Sequence, residues 1–264
     1  MKQIQFALFS LLLASVATSA AEEVYSAGER KSEQLEQEDE ASLQRHFPFY
    51  FAYNSHLSKL QISLKTPLVR KVPFYFGYTQ LMFWALRDDS RPFRDLTYNP
   101  ELFYRFKTPR FAPLKYLDFG IYSHNSNGKA GTASRSYNKS YLRAHFEIES
   151  SRWVTGFSAQ AAHLYAFDPT NKDIQNYIGA LSFGVNFIQL FDSWVDKSEV
   201  SLQVLPGGKF GTRFDRGGYQ LSWSFRLGGL NVVPSFYAQY YHGYAETLLN
   251  YNQKADVFRI GFIF

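Results

Sequence analysis

The 264-residue chain carries 26 Phe, 19 Tyr and 4 Trp, no cysteine, and a formal charge of +5. Without cysteine there is no disulfide framework and no thiolate metal site, so order must come from backbone ladders and burial. The charge is divided, with eight acidic and two basic side chains in residues 22–40 against 15 acidic and 25 basic beyond residue 40; no module interleaving aromatic and basic residues accompanies that excess, which argues against a nucleic-acid partner.

Residues 1–20 contain Lys2, an apolar run from Ile4 to Val16, and small residues at Thr18, Ser19 and Ala20. This is the layout of a secretory signal cut after Ala20. Residues 21–45 follow as an acidic polar leader without a core-forming pattern, expected to lie in the periplasm. Beyond it no stretch reaches the roughly 18 continuous apolar residues of a membrane helix. Alternating segments recur instead. Leu60, Ile62 and Leu64 alternate with Gln61, Ser63 and Lys65, and Tyr219, Leu221, Trp223, Phe225 and Leu227 alternate with Gln220, Ser222, Ser224 and Arg226.

A soluble sandwich alternates in the same way, so periodicity alone does not decide between them. The aromatic content does, together with a terminal strand that carries Phe258, Ile260, Phe262 and Phe264 on one face. Both point to an apolar lipid face around a polar interior. The predicted fold is all-β: a transmembrane antiparallel β-barrel of 12 strands over residues 46–264, at 47–54, 58–68, 72–86, 98–108, 114–126, 136–149, 152–166, 174–190, 196–205, 217–227, 231–243 and 254–264. An even count puts both ends in the periplasm. Short connections at 69–71, 109–113, 150–151, 191–195 and 228–230 then face the periplasm, and those at 87–97, 127–135, 167–173, 206–216 and 244–253 face outward.

The residues with chemistry flank the 127–135 loop. His124 and Ser126 are two apart, so on one strand they leave the same face about 7 Å apart at Cα. Asn138, twelve residues beyond Ser126, falls on the returning strand beside them. A serine hydroxyl needs a base to take its proton, and an imidazole needs an acceptor to fix its tautomer. Ser126, His124 and Asn138 can fill those roles, although a neutral amide stabilises imidazolium less than a carboxylate. Asn138 shares parity with Leu142, Ala144, Phe146 and Ile148, the lipid-facing set. On the preceding strand Asp118 and Gly120 share parity with His124 while Phe119 and Ile121 do not. Either a bulge or a periplasmic end for Asp118 reconciles them.

The stretch from Tyr122 through His124, Asn125, Ser126, Asn127 and Gly128, then Ser134 to Asn138, resembles the outer membrane phospholipase A family of Gram-negative bacteria. Tyr78-Thr79-Gln80, Ser90-Arg91-Pro92-Phe93-Arg94-Asp95, Tyr98-Asn99-Pro100 and Tyr241 to Leu248 resemble further blocks of that family. The resemblance implies a calcium-dependent lipase that hydrolyses acyl esters of phospholipids and lysophospholipids in the outer membrane lipid and is active as a homodimer. It implies Ser126 as nucleophile, His124 as general base and acid, and Asn138 as its orienter. It further implies the Gly128 amide at the oxyanion, assisted by water on Ca2+. The implied calcium ligands are the Ser134 hydroxyl and the Lys129 carbonyl, with Ser90 supplied by the partner chain. Lys129 stands where the family usually has arginine, and Thr132-Ala133 where Pro-Thr is common.

Gln80 has two readings, a lumen-facing polar residue or a pairing residue at the dimer interface, and the resemblance favours the second. Trp84 and the tyrosines near strand ends are expected as girdle anchors. Asn127 is expected as a turn residue, and Arg135 as a support for Ser134 or a holder of headgroup phosphate, the first being favoured. His46, His56, His145, His163 and His242 have no metal spacing. The alternative function is a passive outer-membrane barrel or pore with a vestigial triad, and a soluble esterase conflicts with the aromatic bands.

Overall fold

The computed structural model describes residues 43–106, 108–109, 113–189, 195–227 and 234–264. The predicted signal and nearly all of the leader lie outside the described residues, as do parts of the connections expected at 109–113, 191–195 and 228–230. The strands are β1 (Gln44–Arg45), β2 (Tyr50–Tyr53), β3 (Ser58–Val69), β4 (Val72–Trp84), β5 (Phe93–Phe106), β6 (Leu114–Ser126), β7 (Ser136–Glu149), β8 (Val154–Tyr165), β9 (Leu181–Ile188), β10 (Val195–Gly207), β11 (Arg213–Leu227), β12 (Ser235–Gly243) and β13 (Ala255–Ile263). Each strand from β2 to β13 pairs antiparallel with the next, and β13 returns to β2 with Ile260 opposite Tyr53 and Ile263 opposite Tyr50. The sheet is a closed barrel of twelve strands, as the alternation predicts.

The first stave is broken. β1 and β2 lie on the same edge of β3, with Arg45 opposite Leu64 and Tyr50 opposite Gln61, so residues 46–49 form an excursion where two residues of β3 stand opposite four. Pro48 cannot donate to a ladder. The neighbouring amides are satisfied locally, His46 N by Ser63 O and Phe47 N by Ser63 Oγ, each at 3.2 Å.

The strand predicted at 174–190 is corrected by the structure. Pro169–Asn171 and Ile174–Asn176 are single 3₁₀ turns, and β9 begins only at Leu181. Asp168 caps the first turn by accepting from Thr170 N at 2.9 Å, a conformation that Asp-Pro favours. The apolar side chain that suggested a strand, Ile174, is fully buried against Tyr137, Leu248 and Tyr251 in a small core beneath the loops. Two other strands start earlier than predicted, β5 at Phe93 and β11 at Arg213.

Alternation sorts the two faces. Leu142, Ile148, Phe258 and Ile260 on the outer wall are 51–57% exposed, an apolar belt that only lipid would cover favourably. The interior holds charge. Arg105 donates twice to Asp118, at 2.8 and 2.9 Å, and Arg143 lies 3.8 Å from Glu101 and 3.9 Å from Asp118. Glu101 also accepts from the Tyr141 hydroxyl and bonds His46 Nε2, both at 2.5 Å. Arg143 stacks on Phe47 at 4.8 Å, so the 46–49 excursion places two side chains in the lumen. Buried charges persist only when paired in this way, and the paired side chains fill a narrow lumen.

Candidate active site

The outer wall of β6 and β7 carries the site. The β6–β7 register sets His124 opposite Asn138 and Ser126 opposite Ser136, with a shift between Gly120 and Ser123. That shift is a bulge at Ile121 and Tyr122, both exposed on the outer face. It reverses parity midway along β6, so Asp118 and Gly120 below it point inward and Ser123, Asn125 and Asn127 above it also point inward. His124 and Ser126 are thereby turned outward. The bulge, and not an end effect at Asp118, resolves the conflict in the sequence pattern.

His124 Nδ1 lies 2.7 Å from Asn138 Oδ1. An amide oxygen only accepts, so the imidazole carries a proton on Nδ1 and its Nε2 is left outside this bond. Ser126 Oγ accepts from Gly128 N at 3.2 Å, which leaves its own hydrogen to donate. Gly128 has φ +66°, and a Cβ there would stand 2.8 Å from Tyr98 Cε2, so both backbone and space favour glycine. The amide predicted to face an oxyanion thus rests on the Ser126 hydroxyl in this structure.

The loop after Gly128 is stapled by Asn127. Its Nδ2 donates to Ala133 O at 2.9 Å, and its Oδ1 accepts from Lys129 N at 3.3 Å and Arg135 N at 2.9 Å. Arg135 Nη1 donates to Thr132 O at 2.8 Å and Ser134 O at 2.7 Å. Ser134 Oγ then donates to Asp168 Oδ2 at 2.9 Å. Asp168, which the sequence reading missed, also accepts from Thr170 N at 2.9 Å and Thr170 Oγ1 at 2.7 Å. Ser134 O lies against the same Thr170 hydroxyl as an alternative acceptor for its single hydrogen. The Thr170 amide, then the Thr170 and Ser134 hydroxyls, hold the Asp168 carboxyl below its ordinary value of 3.8. Asp-Pro-Thr-Asn is a turn signature, and it was the available sign that this carboxylate belongs to an ordered loop.

Of the predicted calcium ligands, Ser134 sits in this oxygen cluster. Lys129 is tied to the same loop through Asn127, and Ser90 lies apart on the turn between β4 and β5 with φ 61°. Ser134, Asp168 and Thr170 present hard oxygens of the kind calcium takes. Among the described residues no group of three acidic, histidine or cysteine side chains gathers, so a calcium site here depends on carbonyls, hydroxyls and one carboxylate. Gln80 faces outward, between Ile62 and Tyr98, and accepts from the Tyr78 hydroxyl at 3.0 Å. Its lumen-facing reading is excluded.

A family model described as Phospholipase A1 matches residues 10–264. The chain belongs to the phospholipase A1 family. Phospholipase A1 of Escherichia coli K12 is 30% identical over 204 residues, covering 74% of this chain and 64% of that relative. The chain therefore spans just under two thirds of the relative's length. Among solved structures, outer membrane phospholipase A from Escherichia coli superposes with a TM-score of 0.69 at 26% identity, covering 85% of this chain and 92% of the other. A Salmonella typhi outer membrane phospholipase dimer with bound calcium gives a TM-score of 0.69 at 25% identity, covering 86% and 93%. This member of the phospholipase A1 family is an outer-membrane β-barrel crossing the bilayer many times.

Proposed function

We propose that this chain is a calcium-dependent outer-membrane phospholipase that hydrolyses the acyl esters of phospholipids and lysophospholipids on the lipid-facing wall of its barrel. The observation that carries this reading is the 2.7 Å bond between His124 and Asn138, made on an outward face that Ser126 shares. Polar catalytic groups serve no pore from that side. They serve a substrate lying in the outer leaflet.

Ser126 Oγ attacks the ester carbonyl carbon while its proton passes to His124 Nε2. The Asn138 oxygen keeps its bond to Nδ1–H in both states of the ring, so the imidazole does not turn as it charges. The carbonyl oxygen becomes an oxyanion, and the Gly128 amide moves from Ser126 Oγ to stabilise it. His124 then returns the proton to the departing alcohol oxygen, leaving an acyl ester on Ser126. Water, deprotonated by His124, hydrolyses that ester and restores the hydroxyl. Ser134, the Lys129 carbonyl, Asp168 and a partner copy's Ser90 would hold calcium, whose chemistry is to withdraw electron density from the oxygen that becomes negative.

Association of two copies fits the same wall. Gln80, Tyr98 and Ser126 lie in cross-strand register on β4, β5 and β6, which puts Gln80 about 10 Å from the nucleophile at normal strand spacing. A hydrogen bond between Gln80 and its counterpart in lipid contributes about 0.6 kcal/mol. Gln80→Ala should weaken crosslinking in calcium while leaving the barrel folded.

The test is fatty-acid release from phosphatidylcholine and lysophosphatidylcholine in mixed micelles, with calcium or with chelator. Release with calcium and its loss on chelation support the reading. A folded protein that releases no fatty acid in calcium, and conducts ions across a planar bilayer instead, would establish the passive barrel.

A further inference from the structure

Proline inside a closed sheet has no N–H to give, and a barrel has no edge where that absence is harmless. Pro100 occupies such a position in β5. The register sets Tyr98 opposite Ser126 and Glu101 opposite Ser123, so Pro100 stands opposite His124 and Asn99 opposite Asn125. At those two positions the β5–β6 pairing lapses, whereas on the other side β5 stays paired with β4 through Thr79 opposite Asn99 and Tyr78 opposite Pro100. The main-chain donor that is missing is therefore the one due to the carbonyl of His124.

A side chain takes its place. Asn99 Nδ2 donates to His124 O at 2.9 Å and to Ser123 Oγ at 2.8 Å. Ser123 is fully buried on the lumen side, so the Asn99 amide is anchored from within while it grips the backbone of a residue whose ring faces lipid. Ser123 also directly follows the bulge that turns His124 outward.

We propose that Asn99 is a positioning residue for His124, replacing the ladder hydrogen bond that Pro100 cannot make and fixing the backbone from which the imidazole projects on the face it shares with Ser126. His124 is thus held at two points, its ring by Asn138 from the outer wall and its carbonyl by Asn99 from the lumen side. The inference rests on the proposed hydrolase reading and adds to it a residue that touches neither substrate nor reacting atom.

A compensation experiment tests it in the purified full chain. Asn99→Ala, Pro100→Ala and the double variant are compared with the unmodified protein in phosphatidylcholine hydrolysis with calcium, with folding checked by heat-modifiable gel mobility. Asn99→Ala should lower kcat about ten- to a hundredfold with KM little changed, the cost of a displaced catalytic group. Pro100→Ala alone should stay close to the unmodified rate. The double variant should recover most of kcat, because the new main-chain N–H at position 100 donates to His124 O. If Asn99→Ala fails to fold, Asn99→Leu preserves the volume and carries the same expectations. Unchanged kcat in Asn99→Ala, or a loss that Pro100→Ala does not rescue in folded protein, overturns the proposal while the hydrolase reading stands. An inactive but folded unmodified protein overturns both.

Discussion

Replacing Asn138 with alanine removes the side-chain acceptor that His124 Nδ1 meets at 2.7 Å. In the resting enzyme this is a bond between neutral groups, with a net contribution of about 0.5–1.5 kcal/mol. In the proposed mechanism His124 takes the proton from Ser126 and the donor becomes charged, and such bonds contribute about 1.5–3 kcal/mol. The difference, about 1–2 kcal/mol, is stabilisation present only as the proton moves, and it corresponds to about a five- to thirtyfold loss of kcat. KM should change little, because Asn138 meets the ring and not the lipid. Asn138→Asp keeps an acceptor at the same place and should retain most of the rate. The assay is initial fatty-acid release in calcium for the three proteins, with gel mobility as the folding control. Asn138→Ala with an unchanged kcat, or with a change in KM alone, would refute the argument.

Gly128→Ala forces a side chain into φ +66° and to within 2.8 Å of Tyr98; a barrel of normal gel mobility with hydrolysis reduced at least tenfold is expected, since the left-handed penalty alone is about 1–2 kcal/mol. Glu101→Leu removes the buried carboxylate shared by His46, Tyr141 and Arg143; Arg143 keeps Asp118 at 3.9 Å, so the cost should be that of buried polar groups short of one partner, about 1–3 kcal/mol, seen as a lower urea midpoint in detergent. Asp168 tests the loop. Because its carboxyl is held below 3.8, the order it lends the loop is fully present above the unfolded value and is lost as pH falls through the lower folded value. Hydrogen exchange at the Thr170 amide should therefore stay slow at about pH 4 and quicken only below it, whereas Asp168→Asn should quicken it throughout and raise the calcium concentration needed for half-maximal hydrolysis.

Strands such as β3, β11 and β13 were legible because each has one face against lipid, so apolar residues recur at every second position, as at Leu60, Ile62 and Leu64, at Tyr219 to Leu227 and at Phe258 to Phe262. The pattern failed where burial was not set by lipid. Ile174 is apolar because it roofs a small core under the outward loops, and its neighbours Asp168 and Asp173 belong to turns that the alternation conceals. The excursion at 46–49 was equally hidden, since Phe47 and Phe49 alternate as strand residues would while His46 and Phe47 enter the lumen. At the site, the spacing of His124, Ser126 and Asn138 gave the face of Asn138 directly, but the parity of β6 depended on a bulge with no glycine or proline at Ile121 or Tyr122 to mark it. Asp168 was missed because it meets Ser134 across 34 residues of chain. Asn99 was visible only as part of a motif. Its role follows from the register that sets Pro100 against His124, which no linear pattern contains.

The most direct test of the central claim is labelling of the folded barrel in detergent with a fluorophosphonate, followed by peptide mass analysis. A single adduct should form on Ser126 and should be lost in His124→Ala, whose serine has no base to activate it. An adduct on another residue, or no adduct in protein that is folded and supplied with calcium, would contradict a nucleophile on the outer wall of the barrel.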